Sequence, residues 1–343
     1  MIAPTLDAYL EGFSRSGGGR DVQIAEAVRH LAEAAIDLRD ETAGSIKRYA
    51  HRSGSRNADG DIQYGLDLLA DRLFYEAAGR AKVAHYASEE RAVPEAMPGG
   101  DNLALAVDPL DGSSGIEANI SIGTIFSLLP AAGDALASFL QPGRAQLASG
   151  FFIYGPQLAL ALTLGEGTRI FVYAPAEKAF HEAFPRIAIP AETGEFAINA
   201  SNYRHWDEPV QLYVDDCVNG TEGPCAKDYN MRWIASLVAE AYRILIRGGA
   251  FLYPADARCG YREGRLRLVY EANPIALLVE AAGGAATDGM RRILDLTPGA
   301  LHQRTPLVFG SLREVETIAR YHADPSAIGT RAPLFGNRGL LRA

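Results

Sequence analysis

The residues best suited to chemistry lie in the stretch LALAVDPLDGSSG, Leu103–Gly115. An apolar run predicts a strand that carries Asp108 to a sheet edge. Pro109, having no N–H, is expected to stop the ladder there. Asp108 and Asp111 then face one hard cation, which prefers carboxylate oxygen. Gly112 permits a sharp turn or a positive φ. Ser113 and Ser114 resemble a helix N-terminus, whose free N–H groups favour an anion. This arrangement suits metal-bound phosphate. A strand followed by an Asx-type turn has the same letters, so the turn alone leaves both readings open.

Further carboxylates stand at other junctions. Asp61 follows the polar loop Ser53–Gly60. Asp67 lies in the first turn of a helix predicted over LDLLADRLFYEAAGRA. Glu89 and Glu90 follow the strand AKVAHYA, and Glu271 falls between the alternating strand RLRLVYE and the helix opened by Asn273-Pro274. Each alone reads equally as a cap, a turn or a solvated loop residue. As a set they are what two or three magnesium ions require. With no His or Cys among them, oxygen-only ligation favours Mg²⁺ or Mn²⁺ over zinc. The seven histidines are scattered. No GxGxxG, zinc-site spacing or Ser/Cys–His–Asp spacing is visible.

The elements that must position these acids follow from the rest of the chain. Its 343 residues, 48% hydrophobic and 22% charged, allow a large core and two domains. A net charge of −9 and no basic-aromatic patch argue against nucleic acid as a partner. No apolar run approaches a membrane span and no signal-peptide pattern opens the chain. A cytoplasmic location is therefore the default expectation. Residues 1–20 are expected to be a mobile terminus jointed by Gly17–Gly19. Asp21 is expected to cap a helix reaching Leu38. Residues 121–173 read as a β meander, and Phe180–Gly194 as a crossover between domains. Met231–Leu245 is predicted helical. Arg232 stands near its start, an unfavourable place for a cation unless it meets an anion. AFLYP is a strand ending at Tyr253.

VDPLDGSSG resembles the signature of the lithium-sensitive, metal-dependent sugar and inositol phosphatases. GRLRLVYEANPIA, Gly264–Ala276, resembles the second signature of class I fructose-1,6-bisphosphatase. NADGDIQYGLD, SEE and SIGTIF fall in that family's order, and the resemblance covers roughly residues 21–320. It implies a Mg²⁺-dependent phosphoric monoester hydrolase that converts D-fructose 1,6-bisphosphate to fructose 6-phosphate. It also implies a layered α/β/α/β/α fold of two sheet-containing domains. Residues 21–195 would be the N-terminal, allosteric-type domain and 196–335 the substrate-binding domain, usually in a homotetramer.

The implied roles are specific. Asp108, Asp111 and Glu271 would bind one metal at the 1-phosphate. Glu89, Asp108 and the Leu110 carbonyl would bind a second, and Asp61 with Glu89 would complete a third. Glu90, helped by Asp67, would activate water. Asp111, Gly112, Ser113 and Ser114 would line the 1-phosphate. Asn199, Tyr253 and Arg265 would hold the 6-phosphate, which Arg232 would reach from a neighbouring subunit.

Departures from the family pattern matter too. Trp233 stands where Tyr is frequent, and Arg265 where Lys is commoner; Arg can fork onto phosphate. The places where AMP-regulated relatives carry their AMP contacts read GRDVQ, Asn102-Leu103 and Pro130 here. The usual AMP site is therefore expected to be absent, which suits a Calvin-cycle rather than a gluconeogenic role. Ala131–Gln146 lacks the cysteines of the chloroplast redox insertion. Cys217 and Cys225 read as free thiols, with redox control the alternative. Other readings are sedoheptulose-1,7-bisphosphatase or dual activity, an inositol monophosphatase relative, and a catalytically silent sugar-phosphate sensor.

Overall fold

The structure, a computed structural model, describes residues 3–49, 52–56 and 62–323. The chain opens with helices α1 (Leu6–Ser16) and α2 (Gly19–Tyr49). The strand pair β1 (Arg52–Arg56) and β2 (Ile62–Tyr64) leads to α3 (Gly65–Arg80). Then come β3 (Val83–Ser88), β4 (Glu95–Ala96), β5 (Asp101–Asp111) and β6 (Ile122–Pro130), a short α4 (Ala135–Phe139), and β7 (Ala148–Tyr154), β8 (Leu158–Thr163), β9 (Thr168–Ala174) and β10 (Ala179–Phe184). These strands form an eight-stranded sheet in the order β10-β9-β8-β7-β6-β5-β3-β4. Only the β3–β5 pairing is parallel. The antiparallel run from β6 to β9 is the meander expected from the sequence, and β10 extends it by one strand.

The second half holds β11 (Glu195–Ala197), α5 (Glu208–Asn219), β12 (Asn230–Met231), α6 (Leu237–Arg247), β13 (Ala250–Tyr253), β14 (Leu266–Arg267), α7 (Asn273–Ala281), β15 (Ala285–Thr287), β16 (Arg304–Thr305), β17 (Leu307–Gly310) and α8 (Leu312–Ala323). A five-stranded sheet runs β12-β11-β13-β17-β15, and β14 pairs with β16.

Among the described residues, three large cores stack through the molecule, and a smaller fourth around Phe139 and Tyr270 packs by β3 and β5. Leu31, Phe74, Leu105 and Phe152 belong to the core that joins α1, α2 and α3 to one face of the large sheet. Ile125, Phe151, Val238, Ile275 and Phe309 belong to the next, in which α6 and α7 lie between the two sheets. Tyr213, Leu252, Val308 and Ile318 belong to the third, under α5 and α8. The result is the α/β/α/β/α layering. Each central strand is buried on both faces, which is why β5 and β8 read as continuous apolar runs.

The structure corrects several sequence readings. Helix α2 begins at Gly19, ahead of the expected cap Asp21, and Ser53–Arg56 of the expected loop belong to β1. Residues 6–16 are not a mobile terminus. Thr5 caps α1 by accepting the Ala8 N–H at 3.2 Å, and Leu6 and Leu10, one turn apart, are buried. Pro109 does not end its strand. β5 continues to Asp111 through a bulge, Asp108 facing Ile125 and Asp111 facing Gly123, so the extra residue re-aims the aspartates. Phe180–Gly194 is not all crossover, because β10 occupies Ala179–Phe184. Met231–Leu245 is not one helix. The Arg232 N–H donates to the Phe196 carbonyl at 2.7 Å, which keeps that backbone extended, and α6 begins only after Ser236 accepts the Ala239 N–H. Finally, RLRLVYE is a strand for two residues only. Leu268–Ala272 wind into a π-helical turn that runs into α7. Every residue of that turn is buried, so its alternation carried no inside–outside information.

Candidate active site

The bulge at the end of β5 is the centre of the site. Asp108, Asp111 and Glu271 each offer a carboxylate oxygen, and these oxygens lie within 4.8 Å of one another. All three residues are buried. The Leu110 N–H turns back onto Asp108 Oδ1 at 3.1 Å. The Thr124 hydroxyl donates to the Pro109 carbonyl at 2.8 Å, holding the bulge open. Gly112 then adopts φ +81°, and Ser113–Ala118 form a 3₁₀ turn. Gly112, Ser113 and Ser114 therefore present the start of a helical turn beside the acids, as the sequence predicts.

Asp111 also meets α6 end-on, its Oδ2 accepting the Val238 N–H at 3.1 Å. Gly123 makes this approach possible, since a Cβ there would sit 2.6 Å from Val238 and 2.5 Å from the Phe152 carbonyl. The signal available in sequence was Ser236 before an apolar run, an N-cap pattern. It was hidden by the longer helix read over the same residues.

Glu89 and Glu90 emerge at the end of β3, next to β5 in the sheet. The turn is fixed from behind. Arg91 donates to Asp71 at 2.8 Å and to Glu95 at 2.6 Å, and the Tyr86 hydroxyl donates to Asp71 at 3.0 Å. Arg267, nearly fully buried, reaches Glu89 Oε1 at 3.4 Å, and its backbone N–H donates to Glu271. Sequence reasoning missed Arg267 because it read as one residue of an alternating strand. Asp67 is buried in the first turn of α3. Asp61 lies outside the described residues. The Leu110 backbone sits inside the bulge between the two aspartates.

Of the expected distal-phosphate residues, the structure brings Tyr253, at the end of β13, and Arg265, just before β14, into contact. Arg265 lies 3.7 Å over the Tyr261 ring and 5.6 Å from that of Tyr253. It pairs with Asp256 at 3.3 Å, and Arg258 pairs with the same carboxylate at 2.5 Å. Trp233 stacks on Phe251 at 5.8 Å and meets Tyr253 edge-on, supplying a wall rather than a hydroxyl. The Asn199 carboxamide accepts from Ser201 and caps the turn Ala200–His205. Arg232 is exposed and 3.5 Å from Glu195 of its own chain. Asp256, the counter-charge of this basin, was also missed, lying outside both signatures.

Charge is unevenly balanced between the two places. Burial, then the neighbouring Glu89, Asp111, Glu271 and Glu90 charges, push Asp108 well above the ordinary carboxylate range. Burial lifts Asp111 to about 7 against the pull of the Val238 N–H. Glu271 is raised by burial, then by Glu89 and Asp111, with Arg267 opposing. Packing several carboxylates together out of water is costly unless a cation joins them. The oxygen-only donors and their shortage of positive charge fit a divalent metal such as Mg²⁺. Burial chiefly raises Tyr253 against the pull of Arg265, and the Glu271 charge adds a smaller push from the acidic cluster.

A layered α/β fold with a buried carboxylate cluster beside a phosphate-sized turn is that of the metal-dependent sugar phosphatases. The family model described as the N-terminal domain of fructose-1-6-bisphosphatase matches residues 26–184, and that of its C-terminal domain matches residues 189–323. Proteins named fructose-1,6-bisphosphatase class 1 from Sinorhizobium medicae and Rhizobium meliloti are each 57% identical over 351 aligned positions, covering all of both chains. One from Nitrobacter hamburgensis is 52% identical over 98% of each chain. The holo form of Leishmania major fructose-1,6-bisphosphatase superposes with a TM-score of 0.87 at 28% identity, covering 94% of this chain and 100% of that one; for the apo form the TM-score is 0.81. The chain belongs to the class I fructose-1,6-bisphosphatase family. Among the described residues, no helix is long and apolar enough to cross a membrane.

Proposed function

We propose that this chain hydrolyses the 1-phosphate of D-fructose 1,6-bisphosphate, releasing fructose 6-phosphate and phosphate. The observation that carries the reading is the Asp108–Asp111–Glu271 cluster set against the N–H groups that open the Ser113–Ala118 turn. Asp108, Asp111 and Glu271 would hold one Mg²⁺. Glu89, with Asp108 and the Leu110 carbonyl, would hold another, and Asp61 would contribute to a third. A bound cation supplies Lewis acidity, polarising a phosphoryl oxygen and lowering the pKa of water.

The protein's own groups do the rest. The Ser113 and Ser114 N–H groups and hydroxyls hold the phosphate being cut. Glu90 accepts the proton of the attacking water, and Asp67 supports it. Arg265 and Tyr253 hold the distal phosphate with Asn199, so the sugar spans the gap between the two sheets. Arg232, exposed on its own subunit, would reach the distal phosphate of a neighbour in a homotetramer, with residues 21–195 carrying most of the metal ligands and 196–335 binding the substrate. A cytoplasmic role in carbohydrate metabolism, gluconeogenic or Calvin-cycle, goes with this substrate.

Phosphate release from fructose 1,6-bisphosphate and from sedoheptulose 1,7-bisphosphate, each at millimolar Mg²⁺ or Mn²⁺ and with and without AMP, tests the reading. Turnover of the fructose bisphosphate that needs the metal supports it. Absence of release from that sugar overturns it.

A further inference from the structure

Outside the site, the chain carries a second chemically competent pair at the far end of α5. Cys217 lies in the last turn of that helix and is 2% exposed, while Cys225 is half-buried. Seven residues separate them. The helix stops at Gly220, whose φ of +59° reverses the chain. Two tight turns follow, the Gly223 N–H donating to Gly220 and the Ala226 N–H to Gly223, at 3.1 and 3.2 Å. The Thr221 N–H donates to Asp228 at 3.0 Å and pins the loop. A side chain at Gly223 would collide with Asn219 at 2.6 Å. The loop is thus folded back on the helix end, Gly223 lying against Asn219 and the Asp216 carbonyl, which sets Cys225 beside Cys217.

We propose that Cys217 and Cys225 are a dithiol that forms a reversible disulfide by exchange with a small anionic disulfide, Cys225 attacking and Cys217 resolving. A cavity of about 570 Å³ opens onto Cys225 and is lined by Lys227, Arg313 and Arg320, cations suited to the carboxylates of a glutathione-like reagent. Glu192, Glu314, Tyr229 and Tyr321 complete its titratable wall. Cys217 sits behind, against Tyr213 and out of reach of solvent.

In the first step the Cys225 thiolate attacks one sulfur of the reagent. A protein–reagent S–S bond forms, the reagent's S–S bond breaks, and one thiolate leaves and takes up a proton. In the second, Cys217 gives up its proton and its sulfur attacks Sγ of Cys225, expelling the second reagent thiol. Two protein thiols are oxidised as one disulfide is reduced to two thiols. The environment favours these roles. The adjoining Cys217 side chain lowers Cys225 to about 7, with Tyr229 and Lys227 assisting against burial and Glu314. The neighbouring Cys225, with burial, pushes Cys217 far up, so it waits as the protonated partner.

The test uses the full-length protein equilibrated with glutathione disulfide, acid-quenched and mapped by mass spectrometry. The expected product has lost two hydrogens, carries a Cys217–Cys225 crosslink and reverts with dithiothreitol. Cys217→Ser is expected to retain one glutathionyl group on Cys225. Alkylation of Cys225 should rise with a midpoint near pH 7. At that pH it holds roughly tenfold more thiolate than an ordinary thiol. The exposed Cys259 serves as the internal reference in the same molecule. The proposal is overturned if wild-type protein retains a glutathionyl group on Cys225 with Cys217 still free, or if Cys259 alone reacts.

Discussion

Two aspartates in this molecule expose little surface, Asp111 at 8% and Asp256 at 6%, yet they are driven in opposite directions. Asp256 is held at about 2, chiefly by hydrogen bonds from Arg258, with Arg265 adding to them. Asp111 is lifted to about 7 by burial, with only backbone N–H groups to oppose it. Asp111 lies deep in the protein with no cation beside it, whereas Asp256 sits at a shallower place against two arginines, so depth and partners together set the state of each acid. Asp256 has its cations built into the chain and serves to aim Arg265. Asp111 and its neighbours form a site completed only when a cation arrives from outside.

The largest effect should come from the acid whose partner is missing. Asp111→Asn is expected to lower kcat by ~10³-fold, since the lost metal site forfeits several kcal/mol of transition-state stabilisation. Calorimetry should show weaker Mg²⁺ binding as well. An unchanged kcat would mean that Asp111 is not a ligand.

The other basin should fail differently. Arg265→Ala is expected to raise KM by ~10–100-fold with kcat within a few-fold, because a charge-assisted contact to a non-reacting phosphate contributes to binding. Arg265→Lys should recover part of the loss. A fall in kcat at constant KM would instead place Arg265 at the reacting end.

The smallest effect separates the two aspartates by pH. A raised folded-state pKa means that the native state binds the extra proton. The stability Asp111 contributes is present below the unfolded value of about 4 and is lost as pH rises through about 7. For Asp256 the contribution is present above about 4 and lost only as pH falls through about 2. Metal-free protein should therefore melt several degrees lower at about pH 8 than at about pH 5, and saturating Mg²⁺ should remove the difference. A metal-free Tm that is flat or rises over that range would contradict the unbalanced cluster.

Much of the site is legible in the sequence because its parts are local. Asp108, Asp111, Gly112 and the two serines fall within seven residues. A turn needing both a positive φ and free N–H groups leaves a recognisable string. Glu89 and Glu90 are marked by the end of an apolar strand, and Glu271 by the helix that Asn273-Pro274 opens. What was illegible depended on non-local packing. Arg267 joins the site only because a strand gives way to a π turn between the layers. The Val238 N–H joins because Gly123 lets α6 close onto β6. Asp256 meets Arg258 and Arg265 through a loop that no periodicity describes.

The sequence by itself determined the list of acids, their junction positions, the meander and the resemblance to a phosphatase family, since each is written in short-range pattern. Only the tertiary structure decided which acids share one space and which aspartate is paired. It alone folded Cys225 back onto Cys217. Those outcomes rest on distances between segments far apart in the chain and on the removal of water from between them, which residue order does not encode locally.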